Sequence, residues 1–192
     1  MNKILIFLSI ILLISSCRKG EDDPLLSLRS RENRLTGYWT LNKMNGFHKI
    51  YDENGYYKLY QAAFNSEIDN SYYYSTTFDV LPDNYYYEYF ECRMLINDDN
   101  TMEVSYRSKG VSWFNDDFKG SWYWKNDPGK NKEYVQLTAF FPNLEDFDYQ
   151  ILRLKNKELI LVLSVNESVI NNSGEISQIV GEYVYEFHKT DN

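Results

Sequence analysis

Two histidines, His48 and His188, are the residues most able to supply acid–base or metal chemistry, and they lie far apart in the chain. A zinc site needs several His, Cys or carboxylate ligands at short spacing, and a nucleophilic site needs a histidine paired with Ser or Cys. Neither pattern surrounds either histidine, so we interpret both as solvated side chains. We therefore expect no catalytic residue, no metal, no cofactor and no enzyme activity.

Acidic pairs occur in three predicted turns, where solvated carboxylates are expected. They are Asp98-Asp99, Asp116-Asp117 and Glu145-Asp146. A weak calcium site is the alternative interpretation, but the glycine-containing spacing of an EF-hand loop is missing.

Aromatic side chains are unusually abundant, with 18 Tyr, 11 Phe and 4 Trp. Those spaced two apart on a strand point to the same side of a sheet. An interior lined in this way is typical of a pocket for a small apolar or amphipathic molecule. The candidate ligand-binding residues are Trp39, Phe90, Tyr106, Trp122, Trp124, Tyr183 and Tyr185. The alternative is that these side chains fill the interior themselves.

Eight segments with alternating or continuous apolar residues must position those aromatics. The predicted strands are 36–44, 88–96, 101–107, 118–125, 133–140, 147–155, 158–165 and 180–189, with tight turns at 97–100, 127–130 and 156–157 and a polar loop at 166–177. Short connections at regular spacing predict an all-β fold, an eight-stranded up-and-down antiparallel β-barrel. The run Leu159–Leu163 is apolar on both faces, so either the segment after the first strand or a subunit contact covers its outer side.

Residues 1–16 have the features of a signal peptide. Lys3 precedes an apolar run from Ile4 to Ile14, and these eleven residues are too short for a bilayer core of about 30 Å. Ile14-Ser15-Ser16-Cys17 resembles a bacterial lipobox, which implies cleavage before Cys17 and acylation of that residue. Several acyl chains anchor a protein stably, so we expect Cys17 to hold the chain on a membrane, the outer membrane of a Gram-negative cell.

Residues 17–34 form the predicted linker between this anchor and the barrel. Arg18-Lys19 followed by Glu21-Asp22-Asp23 resembles an export signal of some Gram-negative surface lipoproteins. A plain tether that faces the periplasm is the alternative, and both interpretations stay open. The net charge of −8 makes nucleic acid an unlikely partner, because phosphates would be repelled.

Cys92 is the second of two cysteines, so lipidation of Cys17 leaves no partner for an intramolecular disulfide. At an inward strand position, Cys92 is interpreted as a small buried hydrophobe rather than a reactive thiol.

The segment Gly37-Tyr38-Trp39 resembles the opening motif of lipocalins. Three further stretches extend the resemblance to the lipocalin-like domain of bacterial lipoproteins: Cys92 with the 97–100 turn, Gly120-Ser121-Trp122, and 149–154 leading into 158–161. The resemblance implies a barrel over residues 35–192 whose floor is closed by Trp39. In that family an arginine near the end of the last strand packs on this tryptophan. Only His188 and Lys189 stand at that place here, so Arg153 is a candidate substitute, unless it faces solvent.

An insertion at about residues 47–87 is rich in tyrosine. Eleven of the 18 tyrosines lie between Tyr51 and Tyr89, and Asp52-Glu53-Asn54-Gly55 predicts a hairpin turn. Tyrosine combines apolar area with a polar tip and suits a contact surface for a glycan or a protein partner. The alternative is that these side chains pack on the barrel wall.

If the lipobox interpretation is right, the mature protein begins at Cys17. Mass spectrometry of the membrane-extracted protein should find an N-terminal peptide that starts with an acylated cysteine. A mature N-terminus at any other residue would contradict the interpretation.

Overall fold

The structure, a computed structural model, describes residues 30–67, 71–77, 82–87, 90–108, 116–125, 134–138, 140, 147–170 and 176–190. Within 71–77 and 82–87 it describes the backbone alone. The predicted signal peptide, Cys17, most of the predicted linker, the 127–130 turn and the pair Glu145-Asp146 lie outside the described residues.

One short helix and a series of strands make up the described part of the chain. They are α1 (Arg31–Leu35), β1 (Gly37–Tyr51), β2 (Tyr57–Asn65), β3 (Ser71–Thr77), β4 (Pro82–Tyr87), β5 (Phe90–Ile96), β6 (Thr101–Ser108), β7 (Asp116–Trp124), β8 (Tyr134–Leu137), β9 (Phe147–Leu154), β10 (Glu158–Ile170) and β11 (Ile176–Thr190). Over these same ranges, no helix combines the length and hydrophobicity that a bilayer-spanning segment requires.

Eight of the strands close into a barrel. Their order around it is β1, β5, β6, β7, β8, β9, β10 and β11, and β11 returns to pair with β1. Each neighbouring pair is antiparallel, and the closing pair runs from Tyr38 opposite Thr190 to Tyr51 opposite Gln178. The predicted eight-stranded up-and-down antiparallel barrel is therefore confirmed.

The alternation of apolar residues along the strands produces the core. In β5, Phe90, Cys92, Met94 and Ile96 are all buried, whereas Arg93 between them is exposed. Cys92 is therefore the small buried hydrophobe that was predicted, and burial raises the pKa of its thiol well above the ordinary value. A thiol of this kind stays protonated and is a poor nucleophile.

The tyrosine-rich insertion continues the sheet beyond the barrel wall. On one side β1 pairs with β5 from Gly37 to Thr40 and with β2 from Lys43 to Tyr51. On its other side, the pairing of β1 with β11 shifts register between Leu41 and Lys43. The predicted hairpin turn at Asp52 is confirmed, since its carboxylate accepts from the backbone of Asn54 and Tyr56. β3 and β4 follow, and their backbone register places residues 72, 73 and 74 opposite 87, 86 and 85.

The predicted polar loop at 166–177 is wrong, because β10 and β11 continue through most of it. They stay paired up to Ile170 opposite Ile176. The polar composition of this segment is typical of a loop, but the neighbouring strand satisfies its backbone hydrogen-bonding groups. The side chain of Gln178 also donates to that of Asn166 at 3.2 Å. At the other end of β10, outward-facing Val162 is buried within the single chain, so its apolar character requires no subunit contact.

The floor of the barrel is built by α1 and Trp39. Trp39 is fully buried, and its indole Nε1 donates to the carbonyl of Leu35 at 2.7 Å. Residues 31–34, predicted as part of the linker, thus pack with Leu35 in the folded domain. The cation on Trp39 is Lys189, whose Nζ lies 5.0 Å from the ring centroid, and not Arg153. Arg153 instead forms an ion pair with Glu158 at 3.3 Å.

The geometry of the floor explains why position 37 is a glycine. Its φ of +124° disfavours any side chain, and a Cβ there would lie 2.5 Å from Cε of Lys189. The lysine stem passes over this glycine, and Nζ donates to the carbonyls of Arg34, at 3.0 Å, and Thr36. The glycine and the tryptophan of the Gly-x-Trp pattern, Gly37 and Trp39, therefore both contact Lys189 of the last strand.

Lys189→Met should lower the free energy of unfolding by about 2 kcal/mol, because it removes a cation–π contact and leaves two carbonyls without their donor. Urea denaturation measures this change. Lys119→Met is the matched control, because Lys119 is an exposed surface cation whose loss should cost less than about 0.5 kcal/mol. Equal losses in the two variants would contradict the role assigned to Lys189.

Candidate functional site

The seven predicted ligand-binding aromatics lie at two different levels of the barrel. Trp39, Trp122 and Trp124 belong to the floor. Nε1 of Trp122 donates to the carbonyl of Asn97 at 2.7 Å, and the Trp122 and Trp124 rings meet edge to face at 5.7 Å. The Arg31 guanidinium lies 5.9 Å from the Trp124 ring. Each of these three indoles therefore already contacts other residues of the protein.

The remaining four candidates lie above the floor, where aromatic rings pack across the barrel. Phe140 follows β8 and turns inward, with its ring centroid 5.2 Å from Tyr185 and 5.4 Å from Tyr149. On the opposite side Phe90 and Tyr106 are 6.2 Å apart, and both are buried. This aromatic layer lies between the floor and the opposite end of the barrel.

Four adjacent strands rise beyond this layer and form what we call the mouth wall. β9 pairs with β10 only as far as Val162, whereas β10, β11, β1 and β2 continue together. The register defines four inward rows across them. From the aromatic layer outward, and read from β10 to β2, the rows are Leu161, Tyr185, Met44, Phe64; Leu163, Tyr183, Gly46, Ala62; Val165, Gly181, His48, Tyr60; and Glu167, Ile179, Ile50, Lys58.

The polarity of these rows increases steadily toward the outside. All four residues of the first row are buried and are apolar or aromatic. The second and third rows keep buried or half-buried apolar positions and add the polar tips of Tyr183, His48 and Tyr60. The fourth row begins and ends with exposed charges, Glu167 and Lys58. The mouth wall therefore changes from apolar to charged within four rows.

Two glycines bring His48 and Tyr183 together. Gly46 lies opposite Tyr183, and Gly181 lies opposite His48. A Cβ on Gly46 would be 2.2 Å from Cδ1 of Tyr183, and a Cβ on Gly181 would be 2.5 Å from Cβ of His48. The Tyr183 ring thus lies over Gly46, the backbone and Cβ of His48 lie against Gly181, and the two rings are tilted with centroids 6.0 Å apart. A side chain at either glycine position would force them apart.

His48 is held by contacts on several sides. Its Nδ1 lies 2.6 Å from the Tyr183 hydroxyl, and its ring stacks on Tyr60 with centroids 4.5 Å apart and planes inclined by 12°. Burial lowers the pKa of His48, so the imidazole is neutral at pH 7. The prediction that His48 is solvated is therefore wrong. His188, by contrast, is exposed as predicted.

Sequence reasoning missed this cluster because His48 lies in the insertion and Tyr183 in the last strand. The available signal was the pair of glycines, since a glycine inside a strand often marks a close approach of another group. Gly46 and Gly181 both carry that signal, but only the register shows that they lie on adjacent strands.

Two other features of the structure lack the properties of a binding site. A groove of about 410 Å³ on the outer wall is lined by charged side chains, but these pair with one another, as in Lys119 with Glu103 and Arg107 with Asp117. Among the described residues, no group of three or more His, Cys, Asp or Glu side chains is arranged to hold a metal ion.

The turn between β1 and β2 presents exposed tyrosines. Tyr56 is 69% exposed and Tyr57 is 49% exposed, with Lys49 Nζ 4.5 Å from the Tyr57 ring. These side chains are accessible to a glycan or a protein, so the partner hypothesis stays a prediction for this part of the insertion.

Similarity between this chain and known proteins is remote. No protein-family model matches the sequence, and no curated protein matches it either. Among solved structures, a polyisoprenoid binding domain from Saccharophagus degradans, described as implicated in plant cell wall breakdown, is similar with a TM-score of 0.31 and 6% sequence identity. The similarity covers 79% of this chain and 98% of that one. At this distance the likeness does not bear on what the present chain binds.

Gly46→Ala should displace the Tyr183 ring and expose His48, so that the pKa of His48 rises toward its ordinary value of 6.5. An NMR titration of the imidazole signals measures this shift. Because folded wild-type His48 binds a proton less readily than unfolded His48, its contribution to stability falls as the pH is lowered below about 6.5. The variant should lose part of that pH dependence.

The exposed His188 at the other end of β11 is the internal control, and its signals should be the same in both proteins. A His48 titration that is identical in wild type and variant would contradict the role assigned to Gly46.

Proposed function

We propose that this protein binds a small amphipathic molecule at the mouth of its barrel and that it is a binding protein rather than an enzyme. The observation that carries the proposal is the polarity gradient of the mouth wall, from the buried Tyr185 row to the charged row that contains Glu167. An amphiphile has the same profile, with an apolar tail, a polar head and then solvent.

The tail would lie against the second row and the apolar part of the third, where Tyr183 and Val165 are half-buried. The first row lies beneath it as a closed base, since Met44, Phe64 and Tyr185 are already buried by the protein. Removal of apolar surface from water stabilises a complex by about 25 cal/mol per Å², so a tail that covers about 150 Å² contributes about 4 kcal/mol before the cost of association. The rows thus supply affinity and little specificity.

The head would lie at the third row, beside His48 and Tyr60. Stacking on Tyr60 and the hydrogen bond to Tyr183 fix the imidazole, so its polar edge does not have to be ordered when a ligand binds. Preorganised polar groups cost little entropy on binding and fix the orientation of a ligand.

The lipid anchor predicted at Cys17 fits this arrangement, and we include it in the proposal. The linker enters the folded domain at Ser30, directly before α1, which belongs to the floor. The mouth is at the opposite end of the barrel and would stay clear of the point of attachment. A protein held on an outer membrane in this way could take up a lipid-like molecule or deliver one.

Val165→Glu tests the site, since it places a carboxylate on the mouth wall in the same row as His48. Burial of an unpaired charge against an apolar tail is costly, so the affinity for 1-decanol should fall at least about tenfold, as measured by isothermal titration calorimetry on the whole chain. Ser164→Glu is the matched control, because Ser164 is the exposed neighbour on the outer face of the same strand. The affinity of Ser164→Glu for 1-decanol should equal that of the wild type.

Two results would overturn the proposal. One is the absence of saturable binding of 1-decanol by the wild-type chain. The other is an equal loss of affinity in Val165→Glu and Ser164→Glu, which would place the bound molecule somewhere other than the mouth wall.

A further inference from the structure

We infer that the head group recognised at the mouth wall is an uncharged oxygen acceptor, a hydroxyl or carbonyl, which accepts a hydrogen bond from Nε2 of His48. This inference rests on the proposed function and names the class of ligand for the same site. Three features of the structure carry it: the fixed position of the imidazole, the direction of its remaining hydrogen-bonding atom, and the charges of the surrounding rows.

The position of the imidazole is fixed by backbone as well as by side chains. His48 lies over Gly181, where even a Cβ would come within 2.6 Å of its Cα, and Tyr60 covers the ring by stacking. The Tyr183 hydroxyl holds Nδ1 at 2.6 Å. A ring held in this way presents the same edge to every ligand.

The hydrogen bond to Tyr183 also determines where the imidazole carries its proton. A phenol O–H is a much better donor than a neutral imidazole N–H, so we assign Tyr183 as the donor and Nδ1 as the acceptor. The single proton of the neutral ring is then on Nε2. Within the part of the chain that the structure describes, no other group hydrogen-bonds to His48. Nε2–H is therefore a donor left for an oxygen of a ligand.

The charges near His48 do not favour an ionised head group. Its row consists of Val165, Gly181, His48 and Tyr60 and contains no acidic or basic residue other than His48 itself. Within the four strands of the mouth wall, the nearest inward charges are Glu167 on β10 and Lys58 on β2, both one row further out. These two residues are three strand spacings, or about 14 Å, from each other. Desolvation of a carboxylate or an ammonium beside a neutral imidazole is costly without a counter-ion.

The remaining charged neighbours lie on the other face of the sheet. Lys49 and Glu182 adjoin His48 and Gly181 in sequence, and because successive residues of a strand alternate between faces, both point outward. Lys49 packs on the outer ring of Tyr57. Neither side chain can pair with a head group at the third row.

The test compares three molecules with the same tail: 1-decanol, decanoate and decylammonium. Isothermal titration calorimetry at pH 7.5 on the whole wild-type chain should give an affinity for 1-decanol at least about tenfold higher than for either ion, because only the alcohol avoids the desolvation of a charge.

Two variants separate the hydrogen bond from the packing of the ring. His48→Phe keeps the aromatic stack but removes the donor, so the affinity for 1-decanol should fall about three- to tenfold and the preference over decanoate should shrink. His48→Gln carries an amide N–H near the position of Nε2 and should restore much of that preference. Tyr183→Phe removes the group that fixes the tautomer and should also weaken the preference while leaving the apolar wall intact.

The outcomes distinguish this inference from the proposed function. If none of the three molecules binds, the proposed function fails. If they bind equally, if decanoate or decylammonium binds more tightly, or if His48→Phe lowers all three affinities by the same factor, the amphiphile site stands and the inference about the head group is overturned.

Discussion

The pairing of β1 with β11 is the interaction on which the rest of this structure depends. It closes the barrel over the whole length of both strands, from Tyr38 opposite Thr190 to Tyr51 opposite Gln178. At one end it brings Lys189 over Trp39 and completes the floor. At the other end it brings Gly46 beside Tyr183 and His48 beside Gly181. The register between β1 and β11 therefore determines both the floor and the mouth wall.

The two ends use similar residues for different purposes. At the floor a glycine with positive φ lets a lysine stem cross the chain, and the buried indole of Trp39 is held by a backbone carbonyl. At the mouth, the absence of side chains at Gly46 and Gly181 lets Tyr183 and His48 approach within hydrogen-bonding distance. In the floor contact, Nζ of Lys189 and Nε1 of Trp39 donate to backbone carbonyls, and these bonds stabilise the fold. The mouth contact keeps a half-buried polar edge, and this difference is why we assign ligand binding to the mouth.

The abundance of aromatic residues has more than one physical reason. Rings such as Phe140, Tyr149 and Tyr106 are buried in the middle of the barrel, where they pack together with aliphatic core side chains. Tyrosines in the mouth wall and the β1–β2 turn present hydroxyl tips near solvent. Composition alone treats these groups alike, although their burial differs from nearly complete to 69% exposed at Tyr56.

The sequence by itself determined the all-β class, the eight barrel strands to within a few residues at most ends, the inward faces and the buried state of Cys92, because strand alternation and turn residues are local properties. It did not determine that β10 and β11 continue through Asn166, since cross-strand hydrogen bonds, and not composition, keep a polar segment extended. It offered Arg153 only as a candidate for the floor cation, with a solvent-facing side chain as the alternative, and it placed His48 in solvent. Lys189 over Trp39, and His48 between Tyr60 and Tyr183, are contacts between residues more than ten positions apart, which only the tertiary register brings together.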